Sequence, residues 1–262
     1  DLDQARNDAI DPAARAHLED ALAHLEEARV GTIHSFCAEI LRERPVEAVI
    51  DPAFQELSDY QARQVYARAF RFWVQDKLAA SSPGLRRALA RLARVDSRDP
   101  RPPLEKLQDA GWKLLEWRDF PTPWRREPFD RESEIDFLVG AARSLDAMAA
   151  QSRYPTDTLV QTLRPARDFA TWVERSERGG DRDYDTLEAL LVQLLRDLRR
   201  DRKKTGKGAF APGLLRERVV EARDALLARL ESFQQRSEAD LAAVLRAEMW
   251  DLVARYDDLK RQ

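Results

Sequence analysis

Leu187, Leu190, Leu191, Leu194, Leu195 and Leu198 recur at intervals of three and four residues, a spacing that an α-helix gathers into one apolar face. The same period returns at Leu214, Leu215, Val219, Leu226, Leu227, Leu230 and Phe233, and again at Leu241, Leu245, Met249, Trp250 and Val253. Tyr60, Val65, Ala69, Phe72, Trp73 and Val74 outline a further face. These stripes are core surfaces and need no cofactor. Only nine of the 262 residues are glycine while 35% are charged, which favours helices with solvated faces over tight β turns. A mostly α-helical, multi-helix fold is expected.

Helices are expected near residues 12 to 27, 35 to 45, 59 to 80, 83 to 94, 103 to 118, 132 to 151, 156 to 177, 184 to 203 and 213 to 259. Ser237-Glu238-Ala239-Asp240 has the spacing of a capping box, so the last segment is either one long helix or one that breaks there. Prolines concentrate at 99 to 103 and at Pro121, Pro123 and Pro128, where regular helix cannot continue. Trp124 sits in that second connection beside Arg125 and Arg126, either pinning the loop to the core or offering a ring to a nucleobase. Gly179-Gly180 marks a turn, and residues 201 to 212 form a basic loop.

Several chemistries are unsupported. The single cysteine, Cys37, rules out an internal disulfide, and no apolar run is long enough to span a bilayer. No signal peptide is expected, which leaves the cytoplasm as the default location, and no membrane partner is expected. His17 and His24 lie seven apart on one helix face, but no cysteine or spaced carboxylate pair completes a metal set. Adjacent acids such as Glu26-Glu27 and Asp257-Asp258 would need a pocket to act in acid-base catalysis. No catalytic residue, metal ligand or cofactor is expected in the chain.

The most distinctive local feature is Gly31-Thr32-Ile33-His34-Ser35-Phe36-Cys37. Arg29, Val30 and Gly31 read as an extended approach, and Phe36, Ile40 and Leu41 then follow helical spacing from near Ser35. The first amides of a helix lack internal partners and carry partial positive charge. A phosphate could sit there among the Thr32 and Ser35 hydroxyls and the His34 ring, or the hydroxyls could simply cap the helix.

Thr32-Ile33-His34-Ser35-Phe36-Cys37, then Ile40-Leu41-Arg42-Glu43, then Ile50-Asp51-Pro52-Ala53-Phe54-Gln55-Glu56-Leu57 resembles a motif of UvrD/Rep-type superfamily 1 DNA helicases, in its AddA/RecB-like branch. The similarity covers about residues 12 to 60 and 245 to 262, where Tyr256-Asp257-Asp258-Leu259-Lys260-Arg261 resembles the stretch before the family's acidic Mg-binding motif. The resemblance implies three parts. Residues 1-50 would belong to motor subdomain 1A, 51-235 to a helical 1B-like insertion, and 236-262 to a helix returning to 1A. Thr32 and His34 would contact single-stranded DNA, with Ser35 and Phe36 shaping that site. ATP and Mg would serve the parent motor, which could also carry a nuclease or a partner subunit.

The chain itself has no Gly-x-x-x-x-Gly-Lys-Ser/Thr run and no paired acidic motif on an apolar strand. Thr205-Gly206-Lys207-Gly208 is only superficially similar, because Gly208 follows its lysine and its setting is polar. The chain is therefore expected to be a piece beginning after the Walker A region, ending before the acidic motif and hydrolysing no ATP alone.

Net charge of -3 argues against a uniformly basic binder, so attention falls on local charge. Residues 196 to 207 hold seven basic against two acidic side chains, a net of +5, and residues 86 to 101 hold six against two, a net of +4. In such helicases the 1B subdomain lies near the duplex ahead of the junction. Arg200, Arg202, Lys203, Lys204 and Lys207 would then touch its backbone, with Gly206 and Gly208 allowing close approach. Two other classes compete: a helical protein-interaction module, which would use an exposed apolar groove instead, and a free-standing enzyme, which would need a pocket with converging titratable groups.

Overall fold

A computed structural model describes residues 11–24, 31–93 and 99–261. These residues form eleven α-helices and no strand, and Ser152 and Phe210 make an isolated antiparallel bridge. The chain divides into two compact units, residues 1–62 and 63–262.

In the first unit, α1 (Pro12–Ala23) begins where the Asp11 carboxylate accepts the Ala13 amide at 3.4 Å and Pro12 fills the first helical position. Residues 25 to 27 of the expected helix, including the Glu26-Glu27 pair, lie outside the described residues, as do Arg29 and Val30. α2 (Ile33–Glu43) is strongly amphipathic, yet it buries only Ala38. Ile33 is 80% exposed and Phe36 52% exposed. The chain restarts at Pro45 as the short α3 (Pro45–Ala48), ended by Val49 in the left-handed region at φ 54°. Arg42 then stacks its guanidinium 4.8 Å from the centre of the Phe54 ring, and Asp51 accepts the Ala53 amide at 2.8 Å.

α4 (Asp59–Ala79) begins just before the division and leads into the second unit. There follow α5 (Pro83–Leu92), α6 (Pro103–Leu115), α7 (Arg131–Ala149), α8 (Thr158–Thr162), α9 (Arg164–Glu177), α10 (Tyr184–Arg200) and α11 (Arg216–Lys260). Two cores form in this unit. α7, α8, α9, α10 and the first half of α11 enclose Leu138, Leu159, Phe169, Leu191, Leu195 and Phe233. α4, α5, α6 and the second half of α11 enclose Tyr66, Phe70, Trp73, Leu85, Leu107 and Leu252. Each fully buried Leu or Phe contributes roughly 1.5–3 kcal/mol by leaving water.

α11 is the shared spine. At 45 residues it is about 67 Å long. It does not break at Ser237, which is fully buried: its hydroxyl donates to the Gln234 carbonyl at 3.1 Å and accepts from Arg91 at 3.1 Å. The 235/236 boundary expected from the sequence therefore falls inside one continuous helix. Farther along, the Glu248 carboxylate caps the start of α5, accepting the Gly84 amide at 2.6 Å and the Leu85 amide at 2.9 Å, while its own carbonyl accepts the Trp73 indole N–H at 2.8 Å.

Two readings of the pattern change. The buried face of α4 is Tyr66, Ala69, Phe70, Trp73 and Val74, a clean helical stripe, whereas Tyr60 and Phe72 are 72% and 41% exposed. The helix expected over 156 to 177 divides into α8 and α9 because Pro165 has no N–H to continue the ladder. Among the described residues no helix is long and apolar enough to cross a membrane.

Candidate nucleic-acid interface

The motif at the head of α2 is arranged as a helix cap. Thr32 is the N-cap in extended backbone, its Oγ1 accepting the Ser35 amide at 3.2 Å. The Ser35 hydroxyl returns a bond to the Thr32 carbonyl at 2.8 Å. The helix starts at Ile33, two residues earlier than the spacing predicts, because Thr32 takes the capping role. Both hydroxyls are thus committed to the turn. What faces solvent is the His34 ring, the Phe36 ring and the leading Ile33 and His34 amides, which precede the first intrahelical bond from Phe36 to Thr32 at 3.1 Å.

The basic loop of the second unit is built around a buried acid. Asp157, whose side chain is 6% exposed, accepts the Leu159 amide at 3.0 Å, capping α8, and the Lys207 and Gly208 amides at 3.1 and 2.6 Å. Arg216, at the start of α11, pairs with the same carboxylate at 3.2 Å and donates to the Thr205 and Gly208 carbonyls. Burial pushes the Asp157 carboxyl up, but the three amides and the Arg216 charge outweigh it and hold the group below its ordinary value. A carboxylate here fills the place that a phosphate would take in an amide nest.

The glycines serve that arrangement. Gly206 has φ +62°, and an added Cβ would lie 2.6 Å from an Asp157 oxygen there and 2.8 Å at Gly208. Their close approach is made to Asp157, and the Lys207 and Gly208 amides are already occupied. What the loop offers outward is side chains.

Those side chains are not equivalent. Arg200 pairs with Asp197 at 3.3 Å, Lys204 with Asp201 at 2.7 Å and Arg202 with Asp224 of α11 at 3.6 Å. Nearby Arg199 pairs with Glu231 at 2.6 Å. The +5 of this stretch is therefore partly offset by α11. Lys203 and Lys207 are exposed and have no ion-pair partner among the described residues. A third free cation joins them from fifty residues away. Arg153 is held beside the loop by its amide, which donates to the Ala209 carbonyl at 3.0 Å, while the Ala211 amide donates to the Gln151 carbonyl at 2.9 Å. Nothing in the local sequence marks Arg153; the signal is a backbone clip between distant segments.

The second basic cluster is an interior network. Arg94, Asp96 and Arg98 lie outside the described residues, but Arg87 and Arg91 point inward. Arg87, Arg91 and Arg131 converge on Glu188, which is 1% exposed; Arg87 and Arg91 approach it at 3.1 and 3.6 Å. Arg87 also pairs with Asp240 at 2.7 Å and Arg131 with Asp185 at 2.7 Å. Arg86 joins from the rim on Asp185 at 2.8 Å and Arg126 on Asp240 at 3.1 Å, so five arginines meet three acids in an ion-paired joint between α5, α7, α10 and α11. Trp124 covers Arg246 at 5.5 Å, and Arg246 lies 4.8 Å from the Trp250 ring and donates to the Phe120 carbonyl at 2.7 Å. It pins the 116 to 130 connection to α11.

Among the described residues no group of three or more His, Cys, Asp or Glu is placed to hold a metal ion. Thr32, His34, Ser35 and Phe36 belong to the first unit and Arg200 to Lys207 to the second. No protein-family model matches the chain, and no curated protein matches it.

Proposed function

We propose that this chain is a DNA-contacting part of a UvrD/Rep-type helicase, 1B-like in its helical second unit, working with the rest of a motor that uses ATP and Mg. The observation that carries this reading is the anchored loop. Asp157 and Arg216 fix its backbone from inside, and Lys203 and Lys207, with Arg153 alongside, face solvent unpaired. Such cations suit sequence-independent contacts to duplex phosphates. The Thr32 to Cys37 motif supports the same reading, with Thr32 and His34 beside a single strand and Ser35 and Phe36 shaping the turn.

The test is a DNA-binding titration at low and moderate salt with Lys203→Ala/Lys207→Ala beside the unaltered protein. Salt-sensitive binding weakened by the double change supports the proposal. Absent or salt-insensitive binding in both refutes it.

The exposed apolar face of α2 favours a second reading, a protein-interaction module. Ile33, Phe36, Ile40 and Leu41 are each more than a third exposed. That module would bind a protein through this face and would show no DNA affinity dependent on Lys203 and Lys207.

A further inference from the structure

The turn that brings Arg153 to the basic loop also presents Tyr154, 57% exposed. Its backbone is held on both sides. The Tyr154 amide donates to Ser152 Oγ at 3.2 Å, its carbonyl accepts the Asp157 amide at 2.9 Å, and the Gln161 side chain donates to the Pro155 carbonyl at 2.7 Å. The ring itself has no such anchor. The other exposed aromatics of the second unit each have a partner: Phe72 lies against Arg68 and Arg255, Trp117 against Phe120, Trp124 against Arg246 and Phe137 against Arg229. Among the described residues Tyr154 has no ring or cation contact.

We infer that Tyr154 is a stacking platform for an unpaired base whose flanking phosphates are held by Arg153, Lys203 and Lys207. The inference rests on the DNA reading above and narrows it to DNA with an unpaired base beside a duplex. The chemistry is complementary in both halves. The acids nearest the loop are committed, Asp157 to Arg216 and Asp201 to Lys204, leaving the three cations available to phosphate. A phenol ring on a fixed backbone loses little freedom when a base covers it, and stacking tolerates any base because each has a π-face. The hydroxyl stays in water.

The test compares two DNAs with the same duplex and the same number of phosphates, one with a short base-bearing single-stranded extension and one whose extension is abasic. The unaltered chain should bind the base-bearing DNA at least about fivefold more tightly. Tyr154→Ala should reduce that ratio to about one, and Tyr154→Phe, which keeps the ring, should preserve it. Equal affinity of the unaltered chain for both DNAs overturns the inference while leaving the DNA reading intact, as does a ratio that survives Tyr154→Ala. Absence of salt-sensitive binding to either DNA overturns the DNA reading and this inference with it.

Discussion

Replacing Asp157 with alanine removes the acceptor for three backbone amides, those of Leu159, Lys207 and Gly208, and the carboxylate partner of Arg216. At about 1 kcal/mol for each lost hydrogen bond the amides account for about 3 kcal/mol. Arg216 adds less than a fully orphaned charge would, because it is 16% exposed and keeps its bonds to the Thr205 and Gly208 carbonyls. A loss of about 3 kcal/mol corresponds to a fall of about 6–12 °C in Tm for a unit of this size. Asp157→Asn, which can still cap α8, should lose about half as much. The assay is thermal and urea unfolding followed by helical circular dichroism.

The pH dependence supplies a second reading from the same variants. The carboxyl of Asp157 is depressed in the fold, so its contribution is fully present above its unfolded value of about 3.9 and is lost as pH falls through the lower folded value. The stability difference between the unaltered chain and Asp157→Ala should therefore stay constant from neutrality down to about pH 4 and narrow below it. A loss under about 1 kcal/mol, or a difference that does not narrow in acid, would refute the argument that this carboxylate holds the loop.

Glu188→Ala should cost about 3 kcal/mol, the low end for a broken buried pair, because Arg87 keeps Asp240 and Arg131 keeps Asp185; an unfolding free energy in urea lowered by less than about 1 kcal/mol would contradict a structural role for the joint. Glu248→Ala strips the cap from the Gly84 and Leu85 amides and should cost about 1–2 kcal/mol, with faster amide exchange confined to the first turn of α5. Exchange unchanged at that turn would show that water replaces the carboxylate without cost.

The helical period made most of the architecture legible. Leu187 to Leu198 is the buried face of α10, and α4 to α7 lie close to the expected segments, because amphipathic spacing is a local property of the chain. Pro165 was the local signal for the split between α8 and α9. The site was less legible because its decisive contacts are remote in sequence. Glu188 reads as one more solvated acid beside a leucine stripe, yet it gathers arginines from α5 and α7 and turns Arg87 and Arg91, two of the six cations of an apparent basic patch, into interior structure. Asp157 lies fifty residues from Lys207, and without it Gly206 and Gly208 read as room for a ligand. Arg153 joins the loop through its backbone bond to Ala209, beside the bond from Ala211 to Gln151, and Tyr154 through the Asp157 amide that its carbonyl accepts. The Thr32 motif, by contrast, is local, and its capping geometry follows from Thr and Ser three apart.

The most direct test of the DNA reading is the slope of log affinity against log salt for a short duplex with a single-stranded extension. Each lysine that neutralises one phosphate contributes about 0.9 to that slope. Lys203→Ala/Lys207→Ala should therefore flatten it by about 2, with weaker binding at low salt and a smaller difference at high salt. An unchanged slope would show that these two free cations touch no phosphate and would contradict the account.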